Sequence, residues 1–260
     1  MTDLTNLAAV TRAAGLAELA WAPHPERPPA AIGVVPLVLA GAPAIALPWA
    51  YEQVAREAAA AAEVALLLAE PRLAGPGWRP LAVTARAQLV EDGEGDLFSD
   101  QLLDQELRKH PPSRLLMDSF LLRREHWWYL PRLVLVLEPV RVEPVGRRDG
   151  PRDAGLVVVD GGLHAATVRV DDWDADVLAL TGAPARSGPA ALVGQEISVP
   201  DAERWTVHVT TGHVDAGRLV VAQRPPTREL EPVPGLRARV RRQRDLERAC
   251  VRALRAAGHG

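Results

Sequence analysis

The chain has little cysteine: Cys250 is the only one. A single cysteine excludes an internal disulfide and any zinc or iron–sulfur site built from several cysteines. This usage is typical of a reducing compartment, so we expect a cytoplasmic protein. Residues 28–51 carry no charge, but Pro36, Pro43 and Pro48 interrupt them, and each interior proline opposes a spanning helix by about 3 kcal/mol. With no signal-peptide pattern at the N-terminus, no membrane association is expected.

Lysine is also nearly absent, since Lys109 is the only one and arginine supplies the other positive charges. The formal net charge of −3 does not favour a nucleic acid as partner of the whole chain. The glycine-rich and histidine motifs of Rossmann, P-loop, α/β-hydrolase and zincin proteins are missing, so these classes lack support. At 48% apolar and 24% charged residues, the composition is that of an ordinary globular protein with one large domain or two small ones.

The residue pattern predicts a mainly β protein with helices, of the α+β class. Alternating and continuous apolar runs bounded by proline and glycine indicate strands, whereas alanine- and leucine-rich runs indicate helices. A helix is expected over 4–22. Four segments follow from the composition: 1–29, a helix with a proline-rich linker; 30–146, a β domain; 155–224, a smaller β-rich domain; and 235–258, a basic C-terminal helix.

Two weaker patterns bear on these segments. Residues 157–165 resemble 37–45, and the stretch from Trp205 resembles the stretch from Trp78, so the smaller domain is interpreted as a degenerate repeat. Within the first domain, a helix is expected over 98–110. A second helix should direct Leu115, Leu116 and Phe120 towards the core.

The aromatic residues concentrate in one stretch, 123–132. Trp127, Trp128 and Tyr129 are consecutive there, with His126 before them and arginines on both sides. Flat rings beside guanidinium groups can stack on a heteroaromatic ligand, and His126 could contact a phosphate or ligate a haem iron. The same rings could instead fill a core or a subunit interface.

The order of these elements resembles the pyridoxamine 5'-phosphate oxidase-like split β-barrel family. The resemblance is carried by Ile32–Trp49, Glu63–Glu70, Trp78–Asp92 and Pro111–Val145. The segment from Pro111 through Tyr129 is also similar to split-barrel haem-degrading relatives. The resemblance implies a split β-barrel over 30–146 and a homodimer that binds FMN at its interface.

The cofactor residues are inferred from the resemblance. Members hold the FMN phosphate with basic and hydroxyl side chains on barrel strands, and the matching positions here are Arg72, Arg79, Thr84 and Arg86. Thr84 and Arg86 have the same parity on one strand, so they should point to one face. His126 and Trp127 would border the cofactor. No side chain is identified as catalytic and no metal site is expected.

One departure from the family bears on activity. After Leu47, where the oxidases carry an arginine-rich run, this chain reads Pro48-Trp49-Ala50-Tyr51, with no cation until Arg56. Three hypotheses follow: an FMN-dependent oxidoreductase acting on a small-molecule substrate, a non-enzymatic flavin or haem storage protein, and a nucleic-acid or interaction protein. Haem and a deazaflavin are the alternative cofactors. The oxidoreductase is the first hypothesis, and the missing arginines are the observation that favours the second.

The third hypothesis rests on the C-terminal helix. Residues 236–255 hold eight arginines against Asp245 and Glu247, a net charge of +6 that leaves −9 for the rest of the chain. Such a helix could bind an anionic partner or dock on the acidic remainder, and docking is the expected role. His208 and His213 are five apart on a predicted strand, so they should face opposite sides and not share a metal.

Overall fold

The first half of the chain folds into one antiparallel sheet. The computed structural model describes residues 4–72, 74, 77–199 and 201–259. The N-terminal sheet contains seven strands: β1 Ala17–Trp21, β2 Ala30–Val34, β3 Leu37–Leu39, β4 Ala42–Pro48, β5 Val64–Leu68, β6 Leu81–Asp92 and β7 Arg132–Pro144.

The N-terminal sheet curls back on itself. Its strand order is β2-β1-β5-β6-β7-β4-β3, and the two strands at its ends are consecutive in the chain. Only Val35 and Pro36 separate β2 from β3, and proline cannot donate to a strand ladder. The bent segment β2–β3 therefore spans from β1 to β4, and the sheet is closed except for the break at Pro36. This geometry is that of a barrel split at one strand.

The second half forms a closed six-stranded barrel, here called the C-terminal barrel. Its strands are β8 Asp153–Val159, β9 Leu163–Val170, β10 Val177–Thr181, β11 Gly188–Ile197, β12 Trp205–Asp215 and β13 Arg218–Gln223. They pair in the closed order β10-β13-β12-β11-β8-β9. If β2–β3 is counted as one bent strand, the two halves share a single pairing order: first with second, second with third, third with sixth, sixth with fifth, fifth with fourth and fourth with first.

In this shared order β12 is the equivalent of β6, which agrees with the sequence likeness of the stretches from Trp205 and Trp78. The β8–β9 hairpin is the equivalent of β1 and β2. The sequence likeness of 157–165 to 37–45 therefore does not match equivalent strands, because 37–45 belongs to β3 and β4, one strand later in the order. Similar apolar hairpins recur at different places in both halves.

Helices cover the open ends and sides of the sheet. They are α1 Leu4–Ala13, α2 Glu52–Ala60, α3 Leu103–Lys109, α4 Arg114–Met117, α5 Phe120–Glu125 and α6 Leu236–Ala256, with a π-helical turn at Phe98–Leu102 and 3-10 turns at Trp49–Tyr51, Pro111–Ser113 and Trp127–Tyr129. The predicted α+β class, with a barrel, a further antiparallel sheet and a C-terminal helix, is confirmed. None of the helices that the structure describes is both long and apolar enough to cross a membrane.

Two local predictions were wrong. The expected helix over 4–22 ends at Ala13, and residues 17–21 form β1, which pairs with β2 and β5. Every residue of β1 is buried, because one face covers the core and the other meets the C-terminal barrel, and this packing overrides the helix propensity of Ala-Glu-Leu-Ala. Leu115 and Phe120 do not face the core but are 75% and 78% exposed. The turn at residues 118–119 separates α4 from α5, so one continuous apolar stripe is not formed.

The outer face of the N-terminal sheet packs directly on the C-terminal barrel. Small and medium apolar side chains fill this contact, among them Ala20, Ala65 and Val157. Gly155 on β8 leaves room for this approach, because a Cβ at this position would lie 2.4 Å from a methyl group of Leu67, which would have to move. The close approach of the two β units creates the cleft described next.

Candidate cofactor site between the two β units

A cleft opens where the chain crosses from β7 to β8. This central cleft is lined by residues 70–72 after β5, residues 147–151 of the crossing segment, Asp153, residues 194–196 of β11, and His208 of β12. Its volume is about 410 Å³. Cavities of this size hold cofactors and drug-sized molecules.

A second cavity adjoins the central cleft on the side of the C-terminal barrel. It has a volume of about 490 Å³ and shares Pro151, Glu196 and His208 with the first. Its other walls are Trp173, Asp174 and residues 224–229. His208 therefore stands at the boundary between two spaces, each large enough for part of a flat ligand.

His208 is buried and uncharged. Only 7% of its surface is exposed, and the ring of Trp173 packs against it edge-on with centroids 5.9 Å apart. Gly194 is its partner across β11–β12, and a Cβ there would lie 2.1 Å from Nε2 of His208. Burial, together with the positive charges of Arg228 and Arg148, lowers the pKa of His208 to about 4. The imidazole is thus neutral at pH 7, as a metal-ligating histidine must be.

Buried polar atoms without hydrogen-bond partners concentrate around this histidine. Nine such side-chain atoms occur among the described residues, and four belong to residues that line the two cavities: Arg148 Nε, Trp173 Nε1, Gln195 Nε2 and His208 Nδ1. Native proteins pair nearly all of their buried polar atoms, so each exception needs an explanation. The first three are N–H donors, and all four atoms are enclosed, so a ligand could reach them only if neighbouring side chains moved.

The arginines of the central cleft are already paired with carboxylates. Arg72 donates from Nε and Nη2 to the two oxygens of Glu70, at 2.8 and 2.9 Å. Arg148 donates to both oxygens of Glu18, at 2.6 and 2.8 Å, and this pair is fully buried. Burial raises the pKa of Glu18, and Arg148 opposes that rise. The guanidinium groups are therefore not free to hold a dianionic phosphate.

The second cavity has the same character. Arg228 bonds Asp174 at 3.1 Å and lies 5.3 Å from the centre of the Trp173 ring. Arg224 donates to the backbone carbonyls of Trp173 and Ala175. These contacts fix the orientation of the indole beside His208, so the ring is held in place as a wall of the cavity.

The residues predicted from the family resemblance do not converge on one place. Arg72 lines the central cleft. Thr84 is buried against the C-terminal barrel, where its hydroxyl accepts from Arg141 at 3.0 Å. Arg86 shares the outward face of β6 with Thr84, as the parity predicted, but it is exposed, and so is Arg79.

His126 and Trp127 lie elsewhere, beside α6. The Nε2 atom of His126 is 3.0 Å from the side-chain amide of Gln243, and its Nδ1 is 3.0 Å from the carbonyl of Leu122. Trp127 is 49% exposed, whereas Trp128 is buried. Of the six residues proposed from the sequence, the structure brings only Arg72 to the central cleft.

The rest of the aromatic stretch serves the core. Arg132 is fully buried, with its guanidinium 4.1 Å from the centre of the Phe98 ring and 3.9 Å from that of Tyr129. The Tyr129 hydroxyl donates to Glu106 at 2.8 Å, and burial raises its pKa. These contacts explain the spacing of rings and charges in 123–132 by packing.

Sequence reasoning missed His208, Trp173, Gln195 and Arg148. The predicted opposition of His208 and His213 is confirmed, since one is buried and the other exposed. A signal was therefore present: His208 occupies an inward position of a barrel strand, where an apolar residue is the norm. Nothing in the sequence indicated that Gly194 would lie under its ring.

Comparisons with known proteins give limited similarity. No protein-family model and no curated protein matches this chain. A haem-binding protein from Mycobacterium smegmatis is similar in structure, at 17% identity and a TM-score of 0.33, over 94% of this chain and 97% of that chain. A further solved chain has 17% identity and a TM-score of 0.37, over 64% of this chain and 91% of its own. No family assignment follows from these values.

Proposed function

We propose that this protein binds haem in the central cleft and the adjoining cavity, with His208 as the iron ligand. The observation that carries the proposal is the position of His208, which is a wall of both cavities and whose ring is neutral at pH 7. A bound haem would supply an iron centre for ligation and redox chemistry. The chain itself would supply a ring nitrogen, the indole wall at Trp173 and the enclosing strands.

The unpaired donors support the same assignment. If the adjoining side chains shift on binding, the enclosed donors Arg148 Nε, Trp173 Nε1 and Gln195 Nε2 could bond the two carboxylate groups of haem. The two cavities share His208 as a wall, so a flat ligand could extend into both. The size of each cavity is within the range of cofactor sites.

The resemblance to split barrels also supports the location of the site between the two β units. In that family the cofactor lies at the interface between the barrels of two subunits. Here two β units with one pairing order face each other within a single chain, and the central cleft lies between them. One chain could thus complete a site that otherwise requires a homodimer, and the site does not depend on the predicted dimer.

An FMN-dependent oxidoreductase is the second candidate. The three unpaired donors would also suit the carbonyl oxygens of an isoalloxazine ring. The FMN phosphate is harder to place, because Arg72 and Arg148 already hold Glu70 and Glu18. A phosphate would have to displace a carboxylate, and in the case of Glu18 the displaced charge would remain buried.

The test is a titration with hemin followed by absorption in the Soret region. The wild-type protein and the His126→Ala variant should give the same saturable, shifted band. The His208→Ala variant should bind ~10-fold more weakly or lose the band of histidine-ligated iron. An unchanged His208→Ala titration, or a loss confined to His126→Ala, would refute the assignment. Parallel titration with FMN, followed by flavin fluorescence, distinguishes the second candidate.

A further inference from the structure

Helix α6 carries a row of arginines along its exposed side. At 100° per residue, Arg237, Arg241, Arg244, Arg248, Arg252 and Arg255 fall within a sector about 80° wide. At 1.5 Å per residue the row extends for about 27 Å. Its members are three or four residues apart, so positive charges recur about every 4.5–6 Å along the axis.

The opposite side of α6 attaches the helix to the molecule. Cys250 and Leu254 are buried in the core of the N-terminal sheet, and Leu246 and Ala253 pack against it. The helix contacts the 3-10 turns at Trp49–Tyr51 and Trp127–Tyr129. An apolar face therefore holds α6 in place, and the arginine row points away from the core.

The expected docking of the basic helix on the acidic remainder occurs, but the arginine row takes no part in it. Among the described residues, only Arg239 and Arg242, which lie outside the row, pair with carboxylates beyond the helix, those of Glu203 and Glu231 at 2.7 and 2.6 Å. Within the row, Arg248 pairs with Asp245 of the same helix. The other five are exposed and form no ion pair with any residue that the structure describes: Arg237, Arg241, Arg244, Arg252 and Arg255.

We infer that the arginine row of α6 is a binding surface for the phosphate backbone of a nucleic acid. Guanidinium groups bond phosphate oxygens in a forked geometry, and a straight row of them matches a polymer whose charges repeat regularly. The overall charge of −3 does not prevent this binding. Salt screens exposed charges that lie more than about 10 Å away, so a phosphate at the row interacts mainly with the nearby arginines. The surface is separate from the central cleft.

An anionic membrane is the less favoured partner. A helix that lies on a membrane inserts its apolar face below the headgroups. In α6 the apolar face around Cys250 and Leu254 is already buried in the protein, so only the charges would remain for a lipid surface. Phosphodiester contact requires only the charged side.

The experiment measures binding of a fluorescent 20-base-pair duplex by anisotropy over a range of salt concentrations. With five unpaired arginines contacting phosphates, the logarithm of the binding constant should fall with the logarithm of salt with a slope of about −4 to −5. The double variant Arg241→Gln/Arg244→Gln should bind at least ~10-fold more weakly, with a slope shallower by about 2. Circular dichroism would confirm that α6 remains folded.

A charge-matched variant provides the control. Arg27 and Arg218 are exposed and lie outside α6, so Arg27→Gln/Arg218→Gln removes the same charge and should leave duplex binding nearly unchanged. Equal weakening by both variants would overturn the inference, since it would indicate bulk charge alone. No binding by the wild type, or binding only to phosphatidylserine vesicles, would also overturn it. The His208→Ala variant should bind the duplex normally, which separates this surface from the haem proposal.

Discussion

Replacing Arg148 with methionine should destabilise the protein strongly, because it removes the only ion-pair partner of Glu18 among the described residues. Glu18 lies on β1 with 1% of its surface exposed, and both of its oxygens accept from Arg148. Methionine preserves the aliphatic stem but no charge. Loss of one partner from such a buried pair costs about 3–5 kcal/mol, because the remaining charge is uncompensated.

The loss should depend on pH. Burial already raises the pKa of Glu18 above its ordinary value of 4.5, and without Arg148 the pKa would rise further. The folded state would then keep a proton that the unfolded state releases. Stability is therefore lost as the pH rises from about 4.5 through the folded pKa. The variant should be closer to wild type at pH 5 than at pH 8.

Urea unfolding followed by tryptophan fluorescence measures this effect, and the double variant Glu18→Met/Arg148→Met is the control. The double variant removes both charges, so it should recover most of the stability that the single variant loses. A single variant that costs less than about 1 kcal/mol at pH 8 would refute the reasoning. A double variant as unstable as the single one would refute it as well.

Three further predictions concern other buried groups. Gly194→Ala should displace the His208 ring and abolish the hemin spectrum that depends on it, at a cost of about 1–3 kcal/mol measured by urea unfolding; a normal spectrum would contradict the role of the glycine. Since the folded pKa of His208 is about 4 and its ordinary value is 6.5, the wild type should lose up to about 3 kcal/mol between pH 6.5 and 4, and His208→Gln should lose less. Equal acid sensitivity of both proteins would contradict this. Lys109→Met should lower stability by about 1–3 kcal/mol in thermal unfolding, because Nζ of Lys109, whose pKa burial lowers to about 7, donates to the carbonyls of Thr11 and Pro36; an unchanged melting temperature would argue that these bonds are not formed.

Elements that are marked by a residue pattern within their own segment could be predicted from the sequence. The run 64–69 is apolar throughout, and the structure explains it: both faces of β5 are buried, one by the core and one by the C-terminal barrel. Residues 51–62 have a strong helix propensity and form α2 over Glu52–Ala60, and the C-terminal helix expected over 235–258 forms as α6. In each case the pattern within one element determines its structure.

Strand β1 was not predictable in this way. Its residues favour a helix by propensity, and they become a strand because two partners, β2 and β5, flank them. The exposure of Leu115 and Phe120 likewise depends on a turn between two short helices. Such outcomes are set by tertiary contacts that no local pattern contains.

The candidate site was the least predictable feature. Arginine at positions 72, 79 and 86 suggested a phosphate site. A guanidinium can bind a phosphate only if it is not already paired with a carboxylate, and Arg72 forms an ion pair with Glu70. His208 is a candidate ligand because of its neighbours Gly194, Trp173 and Arg148. Those residues are separated in sequence and meet where two β units close over the segment that joins them.

The central claim is that the ligand lies between the two β units against His208. A crystal structure of the hemin-loaded protein tests it most directly. We predict porphyrin density across the central cleft and the adjoining cavity, with iron at bonding distance from a ring nitrogen of His208. Porphyrin bound beside His126 and α6, with His208 still enclosed by Trp173 and Gly194, would contradict the account.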